Sequence, residues 1–321
     1  GVQTCALPIS GDLSTLVQQI LSVIAETGGI QAAELFTRLI KSGAFYQIDQ
    51  TLFIDVLRQI GNEDLIEQTE QGELILGLKG EKIVRSYEFY SAFATPPEFR
   101  VVYQGQAIGM LPTTYIPSEN QHFLLAGKRW QVVGIDYERK EIGVVPARGR
   151  KKPKWDSLGS NVHQKVRQMM RQVLAENKQY GYLNPTSNQL LEQARTTFRN
   201  TDLIHKDLFE LSPTKTLWFT WTGTRIHQTI LAILKKYKIK LLDHELAIEL
   251  DLSLNQTIDL LHQLIQTKQE PSVLAKMVEP KHRRKYDEYL SEQLLEWSIA
   301  EDVIDINGAQ SVMAELQRQF K

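Results

Sequence analysis

The sequence predicts an α+β chain built in three regions. Residues 12–60 carry apolar positions at helical spacing. Residues 99–145 carry short β-branched and aromatic runs broken by turn residues. From Gly159 onward the spacing is mainly helical again. A chain of 321 residues with 42% hydrophobic and 23% charged side chains has the composition of an ordinary globular protein of two or three domains. Its formal net charge is −1, so any affinity for a polyanion has to come from local clusters. No apolar run approaches the length of a membrane span, and no membrane partner is expected. The lone Cys5 excludes a disulfide and a thiolate zinc site, which fits a reducing cytoplasm.

Residues 1–10, GVQTCALPIS, resemble a translated sequencing adapter and lack the parts of a signal peptide. They are set aside as an artefact, Cys5 with them, and the natural protein is expected to continue upstream. Leu13, Leu16, Val17, Ile20, Leu21 and Ile24 then mark one face of a helix over 12–27, with Asp12 as N-cap and Gly28-Gly29 as its stop. Ala32, Leu35, Phe36, Leu39 and Ile40 mark a second helix. A third is predicted from about Asp49 to Ile60, burying Leu52, Phe53, Val56 and Leu57. Leu65–Gln68 and Glu73–Leu76 read as strands joined through Gln71-Gly72. Three short helices and a hairpin form a winged-helix pattern, expected over residues 11–88; the alternative is another small α+β domain.

Gly80–Phe93 reads as helix. Phe99, Val101 and Tyr103 alternate before Gln104-Gly105, and Ala107–Leu111 returns as a partner strand. Phe123–Ala126, Trp130–Asp136 and Glu141–Val145 add three more, with turns at Gly127-Lys128 and Tyr137–Lys140. Five strands predict a small barrel or curled sheet over residues 89–156. The region 157–321 reads as mainly helical, with one strand at Thr214–Trp221 and a helix at Thr224–Tyr237. Together, residues 89–321 are expected to form one composite domain.

Charge is distributed unevenly along this frame. Residues 11–80 hold ten acids (Asp12, Glu26, Glu34, Asp49, Asp55, Glu63, Asp64, Glu67, Glu70, Glu73) and four bases (Arg38, Lys41, Arg58, Lys79), a net of −6. That is a poor footprint for phosphate contact, so the domain reads as a scaffold rather than a sequence reader. Residues 148–171 hold eight bases (Arg148, Arg150, Lys151, Lys152, Lys154, Lys165, Arg167, Arg171) against Asp156 alone, a net of +7. Trp155 sits at the end of the first five cations. Mobile cations beside a flat ring suit single-stranded nucleic acid, DNA first and RNA as an option. The alternative is a solvated basic loop that Trp155 pins to the next helix. That helix carries an apolar stripe of Val162, Val166, Met169, Met170 and Val173. Arg225, in the Thr222–Arg225 helix start, is a further candidate phosphate contact. Lys281, His282, Arg283, Arg284 and Lys285 form a weaker basic candidate, because Asp287 and Glu288 follow. Trp130, Trp218, Trp221 and Trp297 read as core.

No phosphate-binding loop is present: Gly127-Lys128-Arg129 lacks the upstream glycine and the hydroxyl. The seven histidines show no metal-ligand spacing. Tyr286-Asp287-Glu288-Tyr289 is not an Asp-Glu-x-His box, and no nucleophile elbow appears. No catalytic residue and no cofactor are assigned to this chain.

Several blocks taken in order resemble a known family. They are GELILGLKGEKIV (72–84), AGKRWQVVGID (126–136), VVPARGRKKPKW (144–155), TWTGTRIHQTILAIL (220–234) and KYDEYLSEQLLEWSIAEDVIDINGA (285–309). Across nearly all of 11–321 the chain resembles the C-terminal half of bacterial Lhr-type (large helicase-related) ATP-dependent helicases of superfamily 2. The resemblance implies two RecA-like motor domains upstream, which would bind ATP and Mg. It implies a winged helix and a β-barrel-plus-helices domain that complete a path for the translocating strand. It also implies that Trp155 stacks on a base of that strand, although Asp156-Ser157 follow where the family pattern leads to a glycine. A stand-alone winged-helix DNA-binding or regulatory protein is the alternative.

Without a phosphate loop, the purified chain is expected to show neither ATP hydrolysis nor duplex unwinding. An ATPase assay with and without single-stranded DNA checks this; a nucleic-acid-stimulated rate above background contradicts it.

Overall fold

Asp12 starts the first helix. Its carboxylate accepts the backbone N–H of Thr15 at 3.0 Å and so satisfies one of the donors a helix start leaves open. The computed structural model describes residues 11–41, 43–91, 98–112, 119–147 and 161–320. The architecture is α+β, as the sequence predicts. The described residues group into two units, one from 1–92 with 161–321, the other from 93–160.

In the first unit α1 (Leu13–Thr27) buries Leu13, Leu16, Val17, Ile20, Leu21 and Ile24, the predicted face, and ends at Gly28 with φ 77°. Strand β1 (Ile30–Gln31) leads into α2 (Ala32–Phe36), which continues as a π turn over Thr37–Lys41. Helix α3 (Gln50–Asn62), capped by Asp49, buries Phe53, Val56, Leu57 and Ile60, with Leu52 only partly covered. Strands β2 (Ile66–Gln68) and β3 (Glu73–Leu76) pair antiparallel, and β1 joins the outer side of β3 to give the order β1-β3-β2. Helix α4 (Leu78–Arg85) and a 3₁₀ turn at Tyr87–Tyr90 follow. Gly80 permits this approach: a Cβ there would lie 2.0 Å from the Leu65 carbonyl oxygen.

The rest of this unit is helix around one small sheet. Helices α5 (Gln164–Ala175) and α6 (Pro185–Asn200) precede strands β9 (Leu208–Ser212) and β10 (Lys215–Phe219), and α7 (Thr224–Lys236) follows. Strands β11 (Leu241–Asp243) and β12 (Ala247–Leu250) complete a sheet of order β11-β12-β10-β9. Then come α8 (Leu254–Gln266), α9 (Pro271–Ala275), α10 (Glu292–Asp302) and α11 (Ile306–Arg318). Helix α7 is the centre of this core, with Ile230, Ile233 and Leu234 wholly buried beside Trp218, Ile248 and Leu250. Trp218 and Trp221 are buried as predicted, and Trp297 packs on the N-terminal core.

Residues 11–91 share a unit with 161–320 because Tyr286, Leu290, Leu294 and Leu295 sit in the core of the N-terminal part. The polar seam explains the basic run 281–285 as well. Arg284 reaches Asp12 at 2.9 Å and Asp302 at 2.8 Å. Lys285 donates to the carbonyl oxygens of Glu88 and Ser91, and Lys281 pairs with Glu292 and Glu296. The Asp287 carboxylate, pushed up by burial, accepts the N–H groups of Arg283 and Arg284. The Tyr286 N–H donates to Ser14 Oγ at 3.0 Å.

The second unit is a five-stranded sheet curled as a half-barrel. Its strands are β4 (Glu98–Tyr103), β5 (Gln106–Pro112), β6 (His122–Leu125), β7 (Lys128–Asp136) and β8 (Glu141–Pro146), in the order β5-β4-β8-β7-β6. The β4–β8 pair is parallel and the others antiparallel, so among the described residues the ladder stays open between β5 and β6. Phe99, Val101, Phe123, Trp130, Val132 and Ile142 fill the concave core. The β6–β7 turn falls on Ala126-Gly127 (φ 51° and 72°), one residue earlier than predicted. Two consecutive left-handed residues match the right-handed twist of a two-residue hairpin.

Arg284→Ala removes the guanidinium from between two carboxylates that are mostly covered. It is expected to lower stability by about 1–3 kcal/mol, less than a fully buried pair because Arg284 is partly solvated. Urea denaturation of variant and wild type checks this, and unchanged stability contradicts it.

Candidate nucleic-acid interface

Six of the predicted site residues, Arg148, Arg150, Lys151, Lys152, Lys154 and Trp155, lie outside the described residues. Lys165, Arg167 and Arg171 lie on α5, and Arg225 lies on α7.

Helix α5, QKVRQMMRQVLA, contains no acid, and none of its residues is buried. His163 caps it by accepting the Lys165 N–H through Nδ1. The apolar stripe is not the covered side: Val166, Met169 and Met170 are 52%, 45% and 40% exposed. The inner side is polar instead. Gln164, Gln168, Arg171 and Gln172 line a cleft of about 320 Å³ whose opposite wall includes Asp207, Trp221 and Glu315. Spacing of i, i+4, i+7 and i+8 places those four side chains on one helical face.

The three cations of α5 differ in what holds them. Arg171 pairs with Asp207 at 2.7 Å and lies 5.7 Å from the centre of the Trp221 ring. Burial pushes the Asp207 carboxyl above the ordinary range, against the opposing pull of the Gln319 amide and of Arg171. Gln319 both accepts the Asp207 N–H at 2.9 Å and donates to its carboxylate at 2.7 Å. Lys165 is exposed and Arg167 half-exposed; among the described residues neither pairs with an acid, and Arg167 Nε has no hydrogen-bond partner.

The start of α7 is occupied by the chain itself. The Thr224 N–H donates to the Val162 carbonyl at 2.9 Å, and the Val162 N–H donates back to Thr224 Oγ1 at 2.8 Å. A Cβ on Gly223 would lie 2.6 Å from the Gln164 nitrogen. The Thr224 N–H of this turn is therefore already taken by Val162. Arg225 stays exposed but gives two bonds of 3.0 Å to the Glu301 and Ile304 carbonyls, closing the end of α10.

Sequence reasoning missed three residues here. Asp207 carries no local signal, since its partners Arg171 and Gln319 are far along the chain. Trp221 takes a left-handed backbone (φ 49°) that side chains this large rarely adopt. It is held there by Phe219 stacked at 5.7 Å and by the edge of Phe198. His227 is buried and bridges Thr220 and Asp243, each at 2.9 Å, tying α7 to the ends of β10 and β11. Its two ring nitrogens are thus both engaged in structure. Among the described residues no three His, Cys, Asp or Glu side chains gather as a metal site, and no helix is long and apolar enough to cross a membrane.

The four bases of residues 11–80 are all engaged. Arg38 pairs with Glu26, Arg58 with Asp55 and Lys79 with Glu63, while Lys41 lies over the Phe36 ring.

A carboxyl whose pKa is raised on folding binds its proton more tightly in the native state. Stability therefore falls as pH rises from the ordinary aspartate value of 3.8 through the raised one, and levels off above it. Asp207→Asn removes that slope. Denaturation at a series of pH values is expected to show wild type losing stability relative to Asp207→Asn across that window; parallel curves contradict it. Comparison of the chain with known family models, curated proteins and solved structures finds no match.

Proposed function

We propose that this chain is the nucleic-acid-binding C-terminal part of an Lhr-type ATP-dependent DNA helicase and that it guides the translocating single strand. Trp155 is the residue proposed to stack on a base, with Arg148, Arg150, Lys151, Lys152 and Lys154 around it in sequence. Helix α5 is the observation that carries this. It is a helix without an acid and without a buried residue, bearing Lys165 and Arg167 free of acidic partners among the described residues. Such a surface offers cations that can replace counterions along a phosphate backbone. The order α1-β1-α2-α3-β2-β3 and the sheet β1-β3-β2 support reading residues 11–88 as a winged helix. Its engaged bases support a scaffolding role for it. ATP and Mg would belong to RecA-like motor domains upstream in the same protein.

Lys165→Ala with Arg167→Ala should weaken binding of a labelled oligothymidylate. The plot of log K against log salt should flatten by roughly 0.7 for each phosphate left without its cation. Trp155→Ala should weaken binding by about 1–3 kcal/mol with the slope unchanged, because stacking releases no counterions. Fluorescence anisotropy across a salt series measures both. Failure of the unaltered chain to bind the oligonucleotide sinks the proposal. In the genome, a Walker A lysine and an Asp-Glu-x-His box in frame upstream of Gly11 decide for the helicase over the stand-alone winged-helix alternative.

A further inference from the structure

Between α5 and α6 the chain runs Glu176-Asn177-Lys178-Gln179-Tyr180-Gly181-Tyr182-Leu183-Asn184, and this segment presents an aromatic to solvent on a fixed base. Tyr182 is 81% exposed. Its ring lies 5.5 Å from that of Tyr180 at an interplanar angle of 43°, and Lys178 Nζ lies 5.6 Å from the centre of the Tyr180 ring. Single exposed aromatics are common on protein surfaces and by themselves mean little. The backbone beneath these two is unusual.

Arg195, on α6, is 0% exposed. Its Nε donates to the Val173 carbonyl and one terminal nitrogen to the Lys178 carbonyl, each at 3.0 Å, while the other meets Glu192 at 2.7 Å. Arg199 donates to the Asn177 side chain at 2.9 Å, and the Leu183 N–H closes a turn on the Tyr180 carbonyl at 3.1 Å. The Tyr180 hydroxyl donates to Glu176. Burying a guanidinium costs several kcal/mol unless its donors are met. Here one donor is met by the loop at Lys178, one by α5 at Val173 and one by Glu192 on α6, which ties the loop to both helices. A pre-shaped loop loses little freedom when it binds a ligand.

The charge around it is net positive. Residues 161–200 hold six bases (Lys165, Arg167, Arg171, Lys178, Arg195, Arg199) and two acids, Glu176 and Glu192, a net of +4. Both acids already have partners, Glu176 in the Tyr180 hydroxyl and Glu192 in Arg195. Lys178 lies over a ring and pairs with no acid among the described residues.

We propose that Tyr182, backed by Tyr180 and Lys178, is a second base-stacking platform for single-stranded nucleic acid. It rests on the single-strand binding proposed above and extends that site past the end of α5, a helix about 18 Å long. A ring open to solvent accepts any base on its face, and the adjacent ammonium meets the backbone phosphate. The Tyr182 hydroxyl has no role in this, so a phenyl ring serves as well.

The test uses the whole chain and a labelled oligothymidylate, with a 5-iodouracil version for photo-crosslinking. Tyr182→Ala is expected to weaken binding roughly 5- to 150-fold, the equivalent of one base–aromatic stack, with an unchanged salt slope. Tyr182→Phe should bind as wild type, and Lys178→Ala should flatten the slope by about 0.7. The crosslinked peptide should contain Tyr182. Thermal denaturation should not move for Tyr182→Ala, since the side chain is exposed, which separates a stacking defect from a folding defect. If Lys165→Ala with Arg167→Ala weakens binding while Tyr182→Ala does not, and no crosslink maps to residues 178–184, the platform is overturned and the helix interface stands. Tyr182 then belongs to some other partner. If wild type itself binds no oligonucleotide, both proposals fall.

Discussion

Helix α10, the segment 284–290 before it and above all the Arg284 guanidinium join the N-terminal part of the first unit to the rest. Helix α10 gives Leu294 and Leu295 to the N-terminal core and Ile299 to the central one, which also takes Val303 and Ile304 just beyond its end. A helix serving two cores cannot be displaced without opening both. Arg284 closes the seam by reaching Asp12 and Asp302 together. Asp12 is also the N-cap of α1, so the start of the first helix and the end of α10 share a single cation. Burial pushes the Asp302 carboxyl up while Arg284 pulls it down, so removing Arg284 would leave a covered carboxylate without its counter-charge.

Local pattern was legible; long-range partnership was not. The apolar faces of α1 and α3 and the five strands from β4 to β8 follow from periodicities of 3.6 and 2, which depend only on neighbouring residues. The basic run 281–285 looked like a surface cluster because partners of Arg284 and Lys285 are remote: Asp12 lies some 270 positions from the first and Glu88 197 from the second. The stripe on α5 was visible, but which side the helix covers depends on what faces it, and the facing wall brings Asp207 and Glu315. The turn at Ala126-Gly127 slipped by one residue because its first position is an alanine at positive φ. Glycine is the usual signal for that conformation, and alanine carries none. The cationic run that ends at Trp155 lies outside the described residues.

Many of the described cations are engaged within the fold. Those of residues 11–80 face acids or a ring. Arg284, Lys285 and Lys281 are engaged in the seam, and Arg225 holds the carbonyls at the end of α10. Arg171 is shared with Asp207. Lys165, Arg167 and Lys178, on α5 and the loop directly after it, pair with no acid among the described residues; the same holds for cations spread elsewhere, such as Lys82, Lys128, Lys238 and Lys276. A net charge of −1 therefore hides a local imbalance.

The way α5 is held bears on how it would work. It buries no residue; it is attached by the Val162 backbone at its start, by Arg171 in its middle and by Arg195 on the Val173 carbonyl near its end. These bonds act together with the packing of Leu174 and Ala175 against Phe198, Leu203 and Trp221. Net contributions of single hydrogen bonds are about 1 kcal/mol each, and elements held by few of them lie at the low end of local stability. Elements that meet ligands are drawn from that end, because they must adjust without unfolding their neighbours. Arg171 is the sensitive point. If it turned from Asp207 toward a phosphate, the ligand would gain a cation and α5 would lose its middle attachment in the same motion. Occupancy of the interface and the position of α5 over the cleft are then two readings of one equilibrium.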